Sequence, residues 1–315
     1  MASGTDRAPT PTLADPRRFL ILANPMSGRR GEARSLVERA NRELEDVATT
    51  FLDPDVDLAA VVSTAVADGR ILVAAGGDGT VNAVAHHLVG TPGVLGILPA
   101  GMLNHFARDL GLADTAVAFH TLARGRPAAV DAGLAGGHHF LNTVVVGLYP
   151  EAVQERRRAQ QRIGKWPALA VGWLKVLLKA RPLAGSIVAD GDGRALLAWT
   201  VVAANNRFST TPGRIGERDR LDEGVLDLHV VPGKRGVRGR YSLAKRTLRP
   251  RPWGWGRHVR RVATAVRLEL EEPRPFTTDG ELREPVDALD VAILPRSLHV
   301  LVPASGNWTS AEATE

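Results

Sequence analysis

Apolar residues follow two rhythms along this chain, and the change between them divides it. In the first 125 residues, short apolar runs alternate with helix-spaced segments. Phe19–Ala23, Ile71–Ala75 and Val94–Leu98 are unbroken apolar runs, which predicts strands buried on both faces. Each strand runs into small, turn-forming residues: Asn24-Pro25-Met26-Ser27-Gly28, then Gly76-Gly77-Asp78-Gly79-Thr80, then Pro99-Ala100-Gly101. Ala33, Leu36, Val37, Ala40 and Leu44 recur at spacings of three and four and predict a helix. Further helices are predicted through Leu88 and over Leu103–Asp109. Strand, loop and helix in this order predict a parallel α/β layer. Near Asp131 the rhythm changes. Phe140–Val146, Ala195–Ala203, Val225–Val231, Val262–Glu271, Val291–Leu294 and Leu298–Val302 are predicted strands. Asp190-Gly191-Asp192-Gly193 marks a tight hairpin, and a helical insertion is expected from about residue 150 to 181. The expectation is an α/β domain over residues 17–128 and a β-rich domain over 129–303, with flexible tails at 1–16 and 306–315.

Composition narrows the class. The 315 residues are 44% hydrophobic and 23% charged, the balance of a soluble globular protein. There are no cysteines, so disulfides, thiolate nucleophiles and cysteine-ligated metals are excluded. Lys and Arg outnumber Asp and Glu by 40 to 34, a formal charge of +6 that permits anionic partners without choosing among them. No apolar run is long enough to span a bilayer, because Lys175 interrupts the best candidate, Leu169–Leu178. Residues 1–16 lack the apolar core of a secretory signal, so a cytoplasmic location is expected.

The loops carry the candidate chemistry. In open α/β sheets ligands bind beyond the carboxyl ends of the strands. Glycine lets backbone approach a ligand closely, and a helix start presents N–H groups to phosphate. Gly76-Gly77-Asp78-Gly79-Thr80 joins three glycines to a carboxylate and a hydroxyl. A carboxylate in a phosphate cradle suits a cation or a proton transfer. The same segment also reads as a plain strand-to-helix turn with Asp78 as N-cap. No Gly-Lys-Ser/Thr follows, so this is not a Walker loop, and the dinucleotide fingerprint is absent as well.

Taken in order, Asn24–Gly28, Gly76–Asn82, Leu95–Gly101 and Asn104–Gly111 resemble the diacylglycerol kinase catalytic family, which includes bacterial lipid kinases and sphingosine kinases. The resemblance continues through Leu221-Asp222-Glu223-Gly224-Val225-Leu226-Asp227 and Thr278-Asp279-Gly280-Glu281, and covers about residues 18–303. It implies an α/β nucleotide domain and a β-sandwich-like lipid domain with a cleft between them, the C-terminal segment folding back onto the first domain. It implies ATP and Mg²⁺ as cofactors and a lipid hydroxyl, diacylglycerol or a similar alcohol, as acceptor. The nucleotide residues it implies are Asn24, Pro25, Met26, Ser27 and Gly28, then Gly76, Gly77, Asp78, Gly79, Thr80, Val81 and Asn82, then Gly101 and Met102. The catalytic base it implies is Glu281 or Asp279 in one branch of the family and Asp78 in another. Asp279-Gly280 is also a strong hairpin signal in its own right. A structural Mg²⁺ is implied at Glu223 with the carbonyls of Arg220 and Val225, although relatives usually carry Asp at the position of Glu223. Two further departures bear on activity: Met102 stands where relatives have Thr, and Ala83 where many have Glu.

A lipid kinase must reach a bilayer. Trp166, Leu169, Ala170, Trp173, Leu174 and Leu177 form one helical stripe among basic residues, suited to transient docking on the inner face of an anionic membrane. Trp253 and Trp255 among arginines form a second candidate patch. The same stripe at 166–177 also suits packing against the β domain. The adjacent pairs His86-His87 and His138-His139 lack the spacing of helical metal ligands. The basic residues cluster beside apolar ones and not with exposed stacking aromatics, so nucleic acid is not expected as partner. The rival readings are an NAD kinase-like enzyme, which shares the Gly-Gly-Asp-Gly loop, and a degenerate nucleotide- or lipid-binding protein with little activity.

Overall fold

The continuous apolar runs of the first hundred residues are parallel strands covered on both faces. The computed structural model describes residues 11–14, 16–28, 31–163, 180–209, 216–236, 239, 241 and 258–304. The chain divides into two units. The first comprises the chain up to Ala132, Asn206–Gly224 and the residues from Leu294; the second comprises Gly133–Asn205 and Val225–Ile293.

In the first unit, β1 (Phe19–Ala23) lies between β2 (Val47–Phe51) and β3 (Ile71–Gly76), and β3 pairs with β4 (Val94–Pro99), all parallel. The end of β13 (Glu281–Val302) adds a fifth parallel strand, with His299 beside Val94 and Val300 beside Leu95. Alternate residues of β1, β3 and β4 face opposite layers, which is why these strands read as unbroken apolar runs. One face, through Ile21, Val73 and Leu98, packs on α1 (Glu32–Glu43) and α5 (Thr115–Arg124). α2 (Leu58–Ala67) packs against β3 and α3 (Asp78–Leu88), and α3 packs against β3 and β4. The Arg17 guanidinium donates to the carbonyls of Leu122 and Gly125 at 2.6 Å each, satisfying the end of α5.

The second unit is antiparallel. β9 (Asp192–Asn205) pairs along its first half with β8 (Leu183–Ala189) and along its second half with β7 (Thr143–Gly147) and β10 (Leu226–Pro232). β12 (Ala265–Thr278) likewise pairs first with β8 and then with β7, and along its length with β13. β11 (Val259–Ala263) extends the sheet beyond β10. Val146, Val201, Leu228, Leu268, Phe276 and Leu289 belong to one buried core. α6 (Leu148–Ile163) follows β7.

The structure departs from the periodicity at four points, each for a local reason. β5 (Arg126–Ala135) runs through the position where the composition changes, and its end pairs with β6 (His138–Phe140). The run Phe140–Val146 breaks at Leu141 and Asn142, whose N–H groups turn to a carboxylate instead of a ladder. Val262–Glu271 breaks at Thr264, whose N–H and Oγ1 both donate to Asp190. Val291–Leu294 and Leu298–Val302 are one strand, within which Arg296 adopts φ 50°. The docking stripe at 166–177 and the patch at Trp253 and Trp255 lie outside the described residues.

Candidate functional site

Three loops of the first unit meet at the carboxyl ends of β1, β3 and β4. Asn24 begins the first loop: its N–H donates to the Ala75 carbonyl at 3.1 Å, while its side-chain Oδ1 accepts the Met26 N–H at 2.9 Å. The loop closes at Gly28, φ 81°. A β-carbon there would lie 2.7 Å from the Ala100 carbonyl, so Gly28 is required both by conformation and by the approach of the third loop. Gly77 and Gly101 are in backbone contact: a β-carbon on Gly101 would sit 2.5 Å from the Gly77 Cα. The third loop is held by Asn104, which has φ 47°; its Oδ1 accepts the Gly101 N–H at 3.0 Å and its Nδ2 donates to the Gly101 carbonyl at 2.7 Å. Asn104 then caps α4 (His105–Asp109) through its backbone.

The middle loop is shorter than the sequence suggests. The N-cap of α3 is Gly77, and Asp78 is the first helical residue. Asp78 therefore does not cap the helix; its Oδ1 accepts the Phe106 N–H at 3.4 Å, tying α3 to α4. Asp78 is half-buried and Gly79 exposed, whereas Thr80, Val81 and Asn82 are buried. Val81 thus belongs to the core side of α3, and the accessible part of this loop is Gly77 to Gly79. The positive end of an 11-residue helix opens there, between glycines that keep the backbone bare. Met26 and Met102 project from the neighbouring loops, 88% and 96% exposed.

In the second unit, Asp279 and Gly280 form a two-residue turn between β12 and β13, with φ 49° and 84°. This is the hairpin that Asp-Gly predicts. The Asp279 carboxylate does more than turn the chain. Its Oδ2 accepts the Leu141 N–H at 2.7 Å, and its Oδ1 accepts those of Asn142 and Thr143 at 2.8 Å each. Taking up a proton would cost it one of these donors. Glu281 is different: its side chain is 51% exposed and one oxygen accepts from Arg283 Nη2 at 2.9 Å. Arg283 is braced in turn by Thr278 Oγ1 at 2.9 Å. His138 feels the same group: burial and then Arg283 push its pKa down, while Glu281 opposes them. Tyr149, on the first turn of α6, brings its hydroxyl 3.9 Å from where a β-carbon on Gly280 would lie. Nothing in the spacing of the sequence linked Tyr149 or His138 to this hairpin.

The loop around Glu223 departs from the metal site that the resemblance implies. Both Glu223 oxygens hold Arg207: Oε2 accepts its backbone N–H at 3.2 Å and Oε1 its Nη1 at 3.1 Å. Among the described residues no group of three or more His, Asp or Glu side chains is placed to hold a metal ion. Arg220 turns its guanidinium to Asp222 at 3.0 and 3.1 Å, and Val225 begins the segment assigned to the second unit.

Residues 18–135 match the family model of the diacylglycerol kinase catalytic domain. All three glycine loops and Asp78 lie inside the matched catalytic domain, whereas Asp279, Glu281 and Glu223 lie beyond it. A diacylglycerol kinase of Bacillus subtilis (strain 168) is 26% identical over 301 residues, 91% of this chain and 97% of that protein. One from Staphylococcus aureus (strain MRSA252) is 28% identical over 233 residues, 68% of this chain and 70% of its own. The crystal structure of a diacylglycerol kinase from Bacillus anthracis str. Sterne superposes with a TM-score of 0.63 at 19% identity, covering 91% of this chain and 97% of that one, so the two share a fold.

Proposed function

We propose that this chain transfers the terminal phosphoryl group of ATP to a hydroxyl of diacylglycerol or a similar lipid alcohol. The observation that carries the reading is the meeting of Gly28, Gly77 and Gly101 over the start of α3. There, glycine backbone lies beside the positive end of a helix, an arrangement that suits a polyphosphate. The names of the relatives supply the acceptor class.

The reaction needs positioning, charge neutralisation and a proton acceptor. The bond between the terminal phosphorus and its bridging oxygen breaks, a new bond to the lipid oxygen forms, ADP leaves, and the hydroxyl proton passes to a carboxylate. Glu281 suits that role, because it is accessible and, among the described residues, Arg283 engages one of its oxygens. Asp279 suits a supporting role, because its three backbone donors fix the hairpin that presents Glu281. Magnesium bound to the triphosphate would neutralise its charge and takes most of its ligands from phosphate and water, needing one or two carboxylates from protein. Asp78 is the carboxylate in the glycine loops that meets this need.

A lipid acceptor places the work at a membrane surface, and an ATP donor at its inner face. No helix among the described residues is long and apolar enough to cross a bilayer. The test is incubation with radiolabelled ATP, Mg²⁺ and diacylglycerol vesicles, or with NAD in their place, with products identified by mass. Phosphatidic acid or a related phospholipid is the expected product. Labelled NADP without labelled lipid would transfer the reading to the NAD kinase-like alternative.

A further inference from the structure

The implied Mg²⁺ at the 220–224 loop and the groups that occupy that loop disagree, and the disagreement is informative. We infer that the cation binding the Glu223 carboxylate is the guanidinium of Arg207, so that this loop is held by the chain itself and takes no metal ion.

Three observations converge. First, both oxygens that would ligate a metal are engaged by one residue, through Arg207 N at 3.2 Å and Nη1 at 3.1 Å. Glutamate reaches further than aspartate by one methylene, and here the extra reach ends on a cation already attached to the chain. Second, the backbone of the loop is anchored by protein groups. Asn206 Oδ1 accepts the Glu223 N–H at 3.0 Å. The buried carboxylate of Asp131 accepts the Gly224 N–H at 2.6 Å and the Arg296 N–H at 2.8 Å, and the Asp131 N–H donates to the Leu221 carbonyl at 2.7 Å. Third, the charges close without an ion. Asp131, Asp222 and Glu223 face Arg207, Arg220 and Arg296: Arg207 pairs with Glu223, Arg220 with Asp222 at 3.0 Å, and Arg296 approaches Asp222 at 3.8 Å. A divalent cation entering this balanced set would meet three guanidiniums, and its own charge would be uncompensated.

Amide hydrogen exchange on the nucleotide-free full chain reads the loop without reference to turnover. Exchange in the peptide containing Glu223 and Gly224 is expected to be unchanged when wild-type protein is treated with EDTA or with Mg²⁺ alone. Arg207→Gln is expected to speed it about two- to five-fold, the range for a half-exposed ion pair. Glu223→Gln is expected to do the same, and the double variant to exchange no faster than either single one. Acceleration of wild-type exchange by EDTA would overturn the inference, because it would reveal a bound metal. So would an Arg207→Gln variant that exchanges at the wild-type rate, or a double variant in which the two effects add.

Discussion

Replacing Asp279 with asparagine separates a hairpin clamp from a proton acceptor. Asparagine tolerates the positive φ of 49° at this position, so the turn itself survives. One amide oxygen can still accept from Asn142 and Thr143, but the NH₂ group then faces the Leu141 N–H, donor against donor. Hydrogen bonds to a charged acceptor contribute about 1.5–3 kcal/mol each, and a donor left unpaired costs about 1–3 kcal/mol. Losing one bond outright and the charge from two others gives an expected destabilisation of about 2–4 kcal/mol, with water at this part-buried site offsetting some of it. Urea unfolding followed by tryptophan fluorescence measures that loss directly. Glu281→Gln is the comparator. Its half-exposed side chain should leave stability within about 0.5 kcal/mol of wild type. Its turnover at saturating ATP and lipid should fall about 10²- to 10⁴-fold, the usual contribution of a general base. An Asp279→Asn protein as stable as wild type would refute the clamp. A Glu281→Gln protein with wild-type turnover would refute the base.

Three other outcomes are expected. Gly101→Ala places a methyl group 2.5 Å from the Gly77 Cα and 2.6 Å from Asn104 Oδ1, so it should cost about 1–3 kcal/mol of stability and weaken ATP binding measured by calorimetry. Met102→Thr changes a 96% exposed side chain, so the melting temperature should stay put while kcat/KM for ATP rises; a fall in kcat/KM would count against phosphate contact at this loop. Burial, and then Arg283, lower the pKa of His138 from its ordinary 6.5, so the unfolded chain binds that proton more readily than the folded one. The stability from neutral His138 is therefore present above pH 6.5 and lost as pH falls through the window between 6.5 and the lowered value. His138→Gln should flatten that part of the stability profile, and an unchanged slope would disprove the linkage.

What could be read from the sequence was whatever depends on near neighbours. β1, β3 and β4 were legible because burial on both faces leaves no polar residue in them. β2 was not, because Val47–Phe51 is only half-buried at a sheet edge and carries two threonines. α2, Leu58–Ala67, is apolar nearly all round, so its helical stripe is faint. The glycine loops stood out because a bare backbone needs glycine whatever the distant context. Asp131 and Asn206 did not, since their roles appear only when Gly224, Glu223 and Arg296 arrive from other parts of the chain. For the same reason the sequence could mark Asp279 and Glu281 as acidic residues beside a turn, but not show that one of them is already spoken for by residues 141–143.

The pairing of the end of β13 with β4 has a consequence for how the protein is made. The fifth parallel strand of the α/β unit is residues 298–302, translated some two hundred residues after β4, its neighbour. During synthesis the parallel sheet must wait with β4 unpaired on that side until almost the whole polypeptide has emerged. Nascent chains halted before that point should present a sticky apolar border to chaperones, and removing residues 294–304 should harm the N-terminal half more than the segment it was cut from.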